Sequence, residues 1–371
     1  MTQSKLFSPI ALRGLELPNR IAVSPMCQYE AEDGSATDWH LAHLGQLAMG
    51  GAGLLIVEAT AVSRVGRITH GCLGLYSDAN EHALRRVLEL CRQYGVSKLA
   101  IQLGHAGRKG STHVPLKGNA PLKPSEDPWT TEAPSALAYG EGWHTPAALD
   151  EAGLARTLRD FVQATERAER LGFELIELHA AHGYLLHEFL SPISNHRTDQ
   201  YGGSAENRMR FPLEVFAACR AVWPAHKPMG IRVSATDWVE GGWTVEQTVA
   251  LAKKLKALGC DYVDVSSAGL DPRQKIQLGP GYQVHFAEQV KREAGIPTMA
   301  VGMITDAHQA EQIIASGQAD MVALARAMLL NPRWSWFAAQ ELGGQAAMSV
   351  KYARAEPKNW PQAFPQKKAA E

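Results

Sequence analysis

Thr248–Asp261 reads TVALAKKLKALGCD and runs directly into Tyr262–Ser266, YVDVS. In the first piece apolar residues recur at three- and four-residue spacing and a Gly falls where a helix C-cap sits, which predicts an amphipathic helix. The second piece is short, β-rich and apolar, which predicts a strand. The same pair recurs as Ala310–Asp320, AEQIIASGQAD, followed by Met321–Leu324, MVAL. Helix then strand, repeated without a break in composition, is the signature of crossover units around a parallel sheet.

Working outward, β-rich runs followed by longer helical patterns occur at Ile21–Met26, Gly53–Ala59, Lys98–Leu103, Glu174–His179, Met229–Ser234, Tyr262–Ser266, Pro297–Gly302 and Met321–Leu324. A doubly wound sheet also alternates, but eight successive units favour a closed (β/α)8 TIM barrel, one α/β domain over residues 1–342. A dinucleotide-binding domain is not signalled. GHAGRKG after the third strand lacks the G-x-G-x-x-G spacing, and GGAG precedes the second strand instead of following it. Two segments fall outside the alternation. Residues 105–149 have no periodicity and carry Trp129, Tyr139 and Trp143, predicting a long lid on the catalytic face. Residues 343–371, rich in Ala, Lys, Gln and Pro, read as a C-terminal tail.

The chain has 371 residues, 45% of them hydrophobic and 20% charged, enough to bury a substantial core. Basic and acidic residues number 37 and 38, so no overall field marks nucleic acid or a membrane surface as partner, and a small molecule is expected. Cys27, Cys72, Cys91, Cys219 and Cys260 are scattered and form no C-x-x-C pair, which signals neither a disulfide framework nor a metal site. The N-terminal MTQSKLFSPIALRG has no signal-peptide pattern, and no apolar run reaches the roughly 18 residues of a membrane span. A cytoplasmic location is the expectation.

Barrel enzymes place their chemistry at the C-terminal ends of the strands. There the sequence offers Ser24, Pro25, Met26 and Cys27, with Tyr29 beyond; Gln102; His179 with His182 and Tyr184; Arg232; Gly302; and Ala325 with Arg326. Alternation in GIRVSATD puts Gly230, Arg232 and Ser234 on one face of the fifth strand. If that face is the interior, the guanidinium needs an anion, either an internal Asp or Glu or a ligand. The lack of a carboxylate at the ends of strands one, three and four favours the ligand. Gly302 and Ala325-Arg326 fall where barrels often bind phosphate, although small residues there also permit tight packing. For HAAHGY, metal ligation lacks the spacing of a helical H-E-x-x-H, and a lone histidine is commonly structural. Two histidines and a tyrosine at one strand end form a donor cluster suited to polarising a carbonyl and delivering a proton. Cys27 is either a small buried hydrophobe or a ligand contact.

NRIAVSPMCQY, VEATAV, IQLGHAGRKG, IELHAAHGYLLHEFLSPISNHRTDQYGGSAENRMRF, IRVSATDW and VGMIT together resemble the Old Yellow Enzyme family of FMN-dependent ene-reductases, from Phe7 to about Leu342. SPISNHRTDQYGGSAENR is the most specific segment, and the Cys after SPM is similar to the thermophilic-like bacterial branch. The resemblance implies noncovalent FMN at the barrel mouth, reduced by NADPH or NADH and reoxidised by an α,β-unsaturated carbonyl compound in a ping-pong cycle. It implies that Ser24, Pro25, Met26 and Cys27 line the flavin and that Ala59 and Gln102 contact its ring. Arg232 would lie at the edge that becomes anionic on reduction, and Gly302, Ala325 and Arg326 at the phosphate end. His179 and His182 would grip the acceptor, Tyr184 would donate a proton, Tyr29 would contact substrate, and Cys27 would tune the potential. No metal is implied. Tyr352-Ala353-Arg354 matches a Tyr-x-Arg tail whose arginine reaches a neighbouring subunit, implying a homodimer or homotetramer, although here seventeen residues follow the arginine. Ala325 departs from the Gly of many relatives. Other readings of the same sequence are a different FMN oxidoreductase, a metal-dependent lyase on a phosphate-binding barrel, or a barrel that only binds.

Overall fold

The structure is a computed structural model that describes residues 4–360 and residue 362. Eight parallel strands close into a barrel: β1 Ile21–Val23, β2 Leu54–Ala61, β3 Lys98–Gly104, β4 Leu175–Ala180, β5 Met229–Ser234, β6 Tyr262–Ser266, β7 Thr298–Val301 and β8 Met321–Leu324. Closure is made by β8 on β1, with Val322 opposite Ile21 and Leu324 opposite Val23. The crossover helices are α1 Asp38–Ala48, α2 Asp78–Tyr94, α3 Glu151–Arg170, α4 Leu185–Leu190 with α5 Ala205–Val222, α6 Val245–Ala257, α7 Val284–Ala294 and α8 Ala307–Ala315; α9 Arg326–Leu330 and α10 Trp334–Leu342 follow β8.

Local signals explain these elements. Ser77, Asp150, Ser204 and Asp306 each cap a helix by accepting a backbone N–H two or three positions into it. Gly259 and Gly317, the two glycines expected to end α6 and α8, both adopt the left-handed conformation. Strands five, six and eight have the expected bounds, whereas β1 stops at Val23, short of Met26. Ser24 N–H still bonds Leu324 O at 3.0 Å, but Pro25 has no N–H to continue the ladder.

Alternation along the strands splits the barrel interior into two zones. Ala22, Leu54, Ala100, Leu175, Met299 and Met321 pack together, sealed by Leu12 and Leu17 of an antiparallel hairpin, Ile10–Leu12 with Leu15–Leu17. Toward the strand C-termini the inward positions turn polar: Gln102, Glu177, His179, Arg232, Ser234, Asp264 and Ser266, all buried. Gly230 makes this transition possible, because any Cβ there would strike the Tyr262 ring that reaches up to Glu177.

The long segment after β3 is more ordered than its lack of periodicity predicts. It forms three short 3-10 turns and pairs Glu132–Ala133 with Ala147–Ala148. Its aromatics are half-buried because cations at the strand ends hold them: Arg67 lies 5.1 Å over Trp129, whose Nε1 donates to Val65 O, and Lys109 lies 4.9 Å from the Tyr139 ring. Beyond α10 the tail turns at Val350–Ala355 and docks Tyr352 against Trp336 and the Arg333 guanidinium. Phe364 of the tail lies outside the described residues.

Candidate active site

The donor cluster at the end of β4 is assembled as its spacing suggested. The His179 ring lies 5.1 Å from His182 and 5.0 Å from Tyr184, both nearly perpendicular. His179 Nδ1 accepts from Ala181 N–H at 3.3 Å, so the neutral ring carries its proton on Nε2. His182 contacts Ser266 Oγ through Nε2 at 2.8 Å, against 3.5 Å from the same hydroxyl to Gln283 Oε1. The Nε2 side of the His182 ring is thus engaged by Ser266. Burial, then the Arg232 guanidinium, hold both imidazoles well below their ordinary range, so they are neutral N–H donors at neutral pH. Burial pushes Tyr184 upward in the same way, keeping its phenol protonated.

The cluster is fixed by groups that sequence reading missed. His182 takes a left-handed backbone (φ 59°), and its N–H donates to Ser234 Oγ at 2.9 Å. Lys109 Nζ bridges the carbonyls of His182 and Gly269 at 2.8 and 2.7 Å and lies 5.3 Å from the Tyr184 ring. Its burial lowers it to about 8. His187 Nδ1 accepts from Gly183 N–H while its Nε2 donates to Asp237 at 2.8 Å, so the turn between His182 and Tyr184 is also pinned from below. Lys109 carries no periodic signal, but its place five residues past the third strand end puts it at the mouth.

At the end of β1, Cys27 and Tyr29 pack with Tyr184 against Ile68, Cys72 and Ala106. Burial, reinforced by Glu58, pushes the Cys27 thiol far up, so it is a thiol and not a thiolate nucleophile. Glu58 accepts from Gln28 N–H at 2.9 Å and faces His40 at 3.4 Å. Ala59 lines a small open cleft with Arg67, Cys72, His105, His179 and Tyr184. Pro25 and Met26 are half-buried beside it in sequence.

Arg232 corrects the expectation drawn from its neighbours. Its Nε stands 3.2 Å from Asp264 Oδ2 on β6, and Nη1 donates to Ser24 Oγ at 3.1 Å. The internal carboxylate is therefore present, one strand away in the register where Asp264 faces Arg232, a pairing that only barrel closure reveals. Gln102 donates to Glu177 Oε1 at 2.8 Å. Across the mouth, Gly302 adopts φ 121°, Ala325 has φ −105° and ψ −85°, and Arg326 is exposed at the start of α9. Arg354 is exposed on the tail turn. Among the described residues no group of three or more His, Cys, Asp or Glu is arranged to hold a metal.

A closed barrel, neutral imidazole donors at one end of its mouth and a left-handed glycine with an arginine at the other match a known family. The model described as the NADH:flavin oxidoreductase / NADH oxidase family matches residues 5–344. The chain belongs to this family. An NADPH dehydrogenase of Geobacillus sp. (strain WCH70) is 46% identical over 354 residues, 95% of this chain and 98% of the relative. An NADPH dehydrogenase of Bacillus subtilis (strain 168) is 43% identical over 352 residues, 94% and 98% of the two chains. The solved structure of morphinone reductase superposes with a TM-score of 0.77 at 30% identity, covering 93% of this chain and 91% of that one. This member of the family is thus an NAD(P)H:flavin oxidoreductase of Old Yellow Enzyme type, with FMN as cofactor and NAD(P)H as reductant. No helix among the described residues is long and apolar enough to cross a membrane.

Proposed function

We propose that this oxidoreductase reduces the C=C bond of α,β-unsaturated carbonyl or related electron-poor compounds. The observation that carries the reading is the pair of imidazoles, each anchored through one ring nitrogen, converging beside Tyr184. Such donors suit an oxygen that gains negative charge, because neutral N–H groups in a dry site stabilise it without reorganising. Tyr184, kept protonated by burial, would give its phenolic proton to the carbon next to the carbonyl.

The cofactor's residues fit this assignment. Ser24, Gln102 and Arg232 share the barrel's polar layer, and Arg232 Nε has no hydrogen-bond partner. Gly302 leaves its backbone open to approach by a phosphate, with Ala325 and Arg326 beside it. FMN held between them supplies the two-electron carrier that links nicotinamide to acceptor. Pro25, Met26, Cys27 and Ala59 would line it, with Cys27 tuning it as a thiol and Tyr29 turned to the acceptor. Arg354 extends the reading to a neighbouring copy: on an exposed turn, its fork of donors would complete a partner's site in a homo-oligomer.

Stopped-flow reoxidation by cyclohexenone, after anaerobic reduction with NADPH, tests the assignment. His179→Ala and His182→Ala should each slow reoxidation by about 10²–10³-fold, the usual cost of one such donor, while NADPH-driven reduction changes far less. Reoxidation of both variants at the parent rate would overturn it.

A further inference from the structure

Three ionisable groups lie in the barrel interior below the donor cluster, and the function proposed above uses only one of them. Arg232 faces Asp264 at 3.2 Å, yet neither Asp264 oxygen nor Arg232 Nε completes a hydrogen bond. On the next strand round, Glu177 accepts from Gln102 Nε2 and from Tyr262 OH, each at 2.8 Å. Glu177 and Asp264 are both 0% exposed. The register explains their meeting: Glu177 and Tyr262 flank Gly230 while His179 and Asp264 flank Arg232, two residues further along β5.

One guanidinium thus faces two carboxyls. With both ionised the cluster carries a net negative charge in a closed, low-dielectric interior, and with one proton it is neutral. The other groups facing it add no compensating cation: His179 and His182 are held neutral from the β4 side, Tyr262 on β6 and Cys260 just before it stay protonated, and Lys109 sits above the histidines. The remaining strands present Ala22, Ile56, Met299 and Met321 inward. Burial raises both carboxyls, Glu177 to about 8, so the pair keeps a proton at neutral pH. The surroundings accommodate a neutral Glu177, because the Tyr262 hydroxyl oxygen, 2.8 Å away, is able to accept its proton.

We propose that Asp264 and Glu177 are positioning residues that tune the cofactor through Arg232: their combined charge sets how much of the guanidinium's positive field reaches FMN. This rests on the reading that Arg232 lies against the edge of FMN that becomes anionic on reduction. Asp264 weakens the field at all working pH values, whereas Glu177 weakens it only once it ionises. No bond is made or broken on either residue. The only exchange is a proton between Glu177 and solvent as pH crosses its range.

The test is a spectroelectrochemical titration of the FMN-loaded enzyme across pH, paired with infrared detection of a buried neutral carboxyl in the apoprotein. Asp264→Asn should favour the reduced form at least tenfold at a fixed potential, equivalent to about 30 mV for a two-electron couple. Glu177→Gln should match the parent at neutral pH, lack the downward step in potential expected of the parent above about 8, and lose one neutral-carboxyl component while that of buried Glu188 persists. If Asp264→Asn loads FMN but shifts the ratio less than twofold, or if Glu177→Gln retains the parent's pH step, the proposal fails. Should Asp264→Asn not fold, the Glu177→Gln pH profile alone decides. Arg232→Ala separates the layers: a shifted potential in that variant with silent carboxyl variants overturns only the tuning, whereas unchanged potential and FMN content in Arg232→Ala overturns the placement of Arg232 as well.

Discussion

The two ends of the barrel mouth are built from different materials. Over β4 to β6 the working surface is side chain: His182 is tied to Ser234 and Ser266, Lys109 straps two loop carbonyls together, and Arg232 is wedged between Ser24 and Asp264. Over β7 and β8 it is backbone, with Gly302 and Met303 both at positive φ, a half-buried Ala325 and an Arg326 that stands in solvent. The first end has desolvated its polar groups, so each is costly to leave unpartnered and most are held by another. The second keeps its one cation hydrated and relies on chain geometry to present N–H groups. Substitutions should therefore act through lost partners at the first end and through backbone strain at the second.

The strongest way to break this contrast is Gly302→Ala. Its φ of 121° lies where an L-residue is strained, and the new Cβ would stand 2.6 Å from Gln283 Nε2, the amide that bonds Val301 O and receives Ser267 Oγ. Strain plus disrupted buried hydrogen bonds should cost about 3 kcal/mol. The expected outcome is a marked fall in Tm together with loss of FMN, read from released flavin; full occupancy at the parent Tm would show that the backbone end is not the demanding one.

Lys109→Met sharpens the other side. Two loop carbonyls lose their donor, at about 2 kcal/mol, and the acceptor kcat/KM should fall tenfold or more while FMN content holds. The pH dependence carries a sign. Lys109 is lowered to about 8 when folded, so the unfolded chain binds more protons from there up to the ordinary lysine value of about 10.4, and the parent gains stability as pH rises across that window. The variant should lack this increment, and denaturant melts at both limits would expose the error if the difference between the proteins stayed constant.

Arg326→Ala should do least. A hydrated, exposed guanidinium contributes weakly and is screened by salt, so FMN affinity should drop no more than about tenfold, and the drop should shrink at high ionic strength. A salt-independent loss of all flavin would place this arginine in a tighter role than its exposure supports.

Much of this was legible beforehand because the signals are local. Helix spacing, terminal glycines and β-rich runs are properties of consecutive residues, and they located all eight strands, three with the observed bounds. The donor cluster was equally legible, since His179, His182 and Tyr184 sit on one short turn. The lid's order was not: Trp129 is held by Arg67 of the preceding loop, and Tyr139 by Lys109, thirty residues earlier in the lid itself.

The same division governs Arg232. Alternation alone puts Arg232 inside, and it equally puts Asp264 beside Tyr262 and Glu177 beside His179 on the inward faces of their own strands. What no run of residues states is which inward groups meet. That is fixed by closing β8 onto β1 and by the register of neighbouring strands, which set Asp264 across from Arg232 and leave room at Gly230 for Tyr262 to reach Glu177. Sequence determines the face on which a side chain lies because the strand period is two residues; tertiary structure decides its partner because strand neighbours in a barrel are separated by whole helices along the chain.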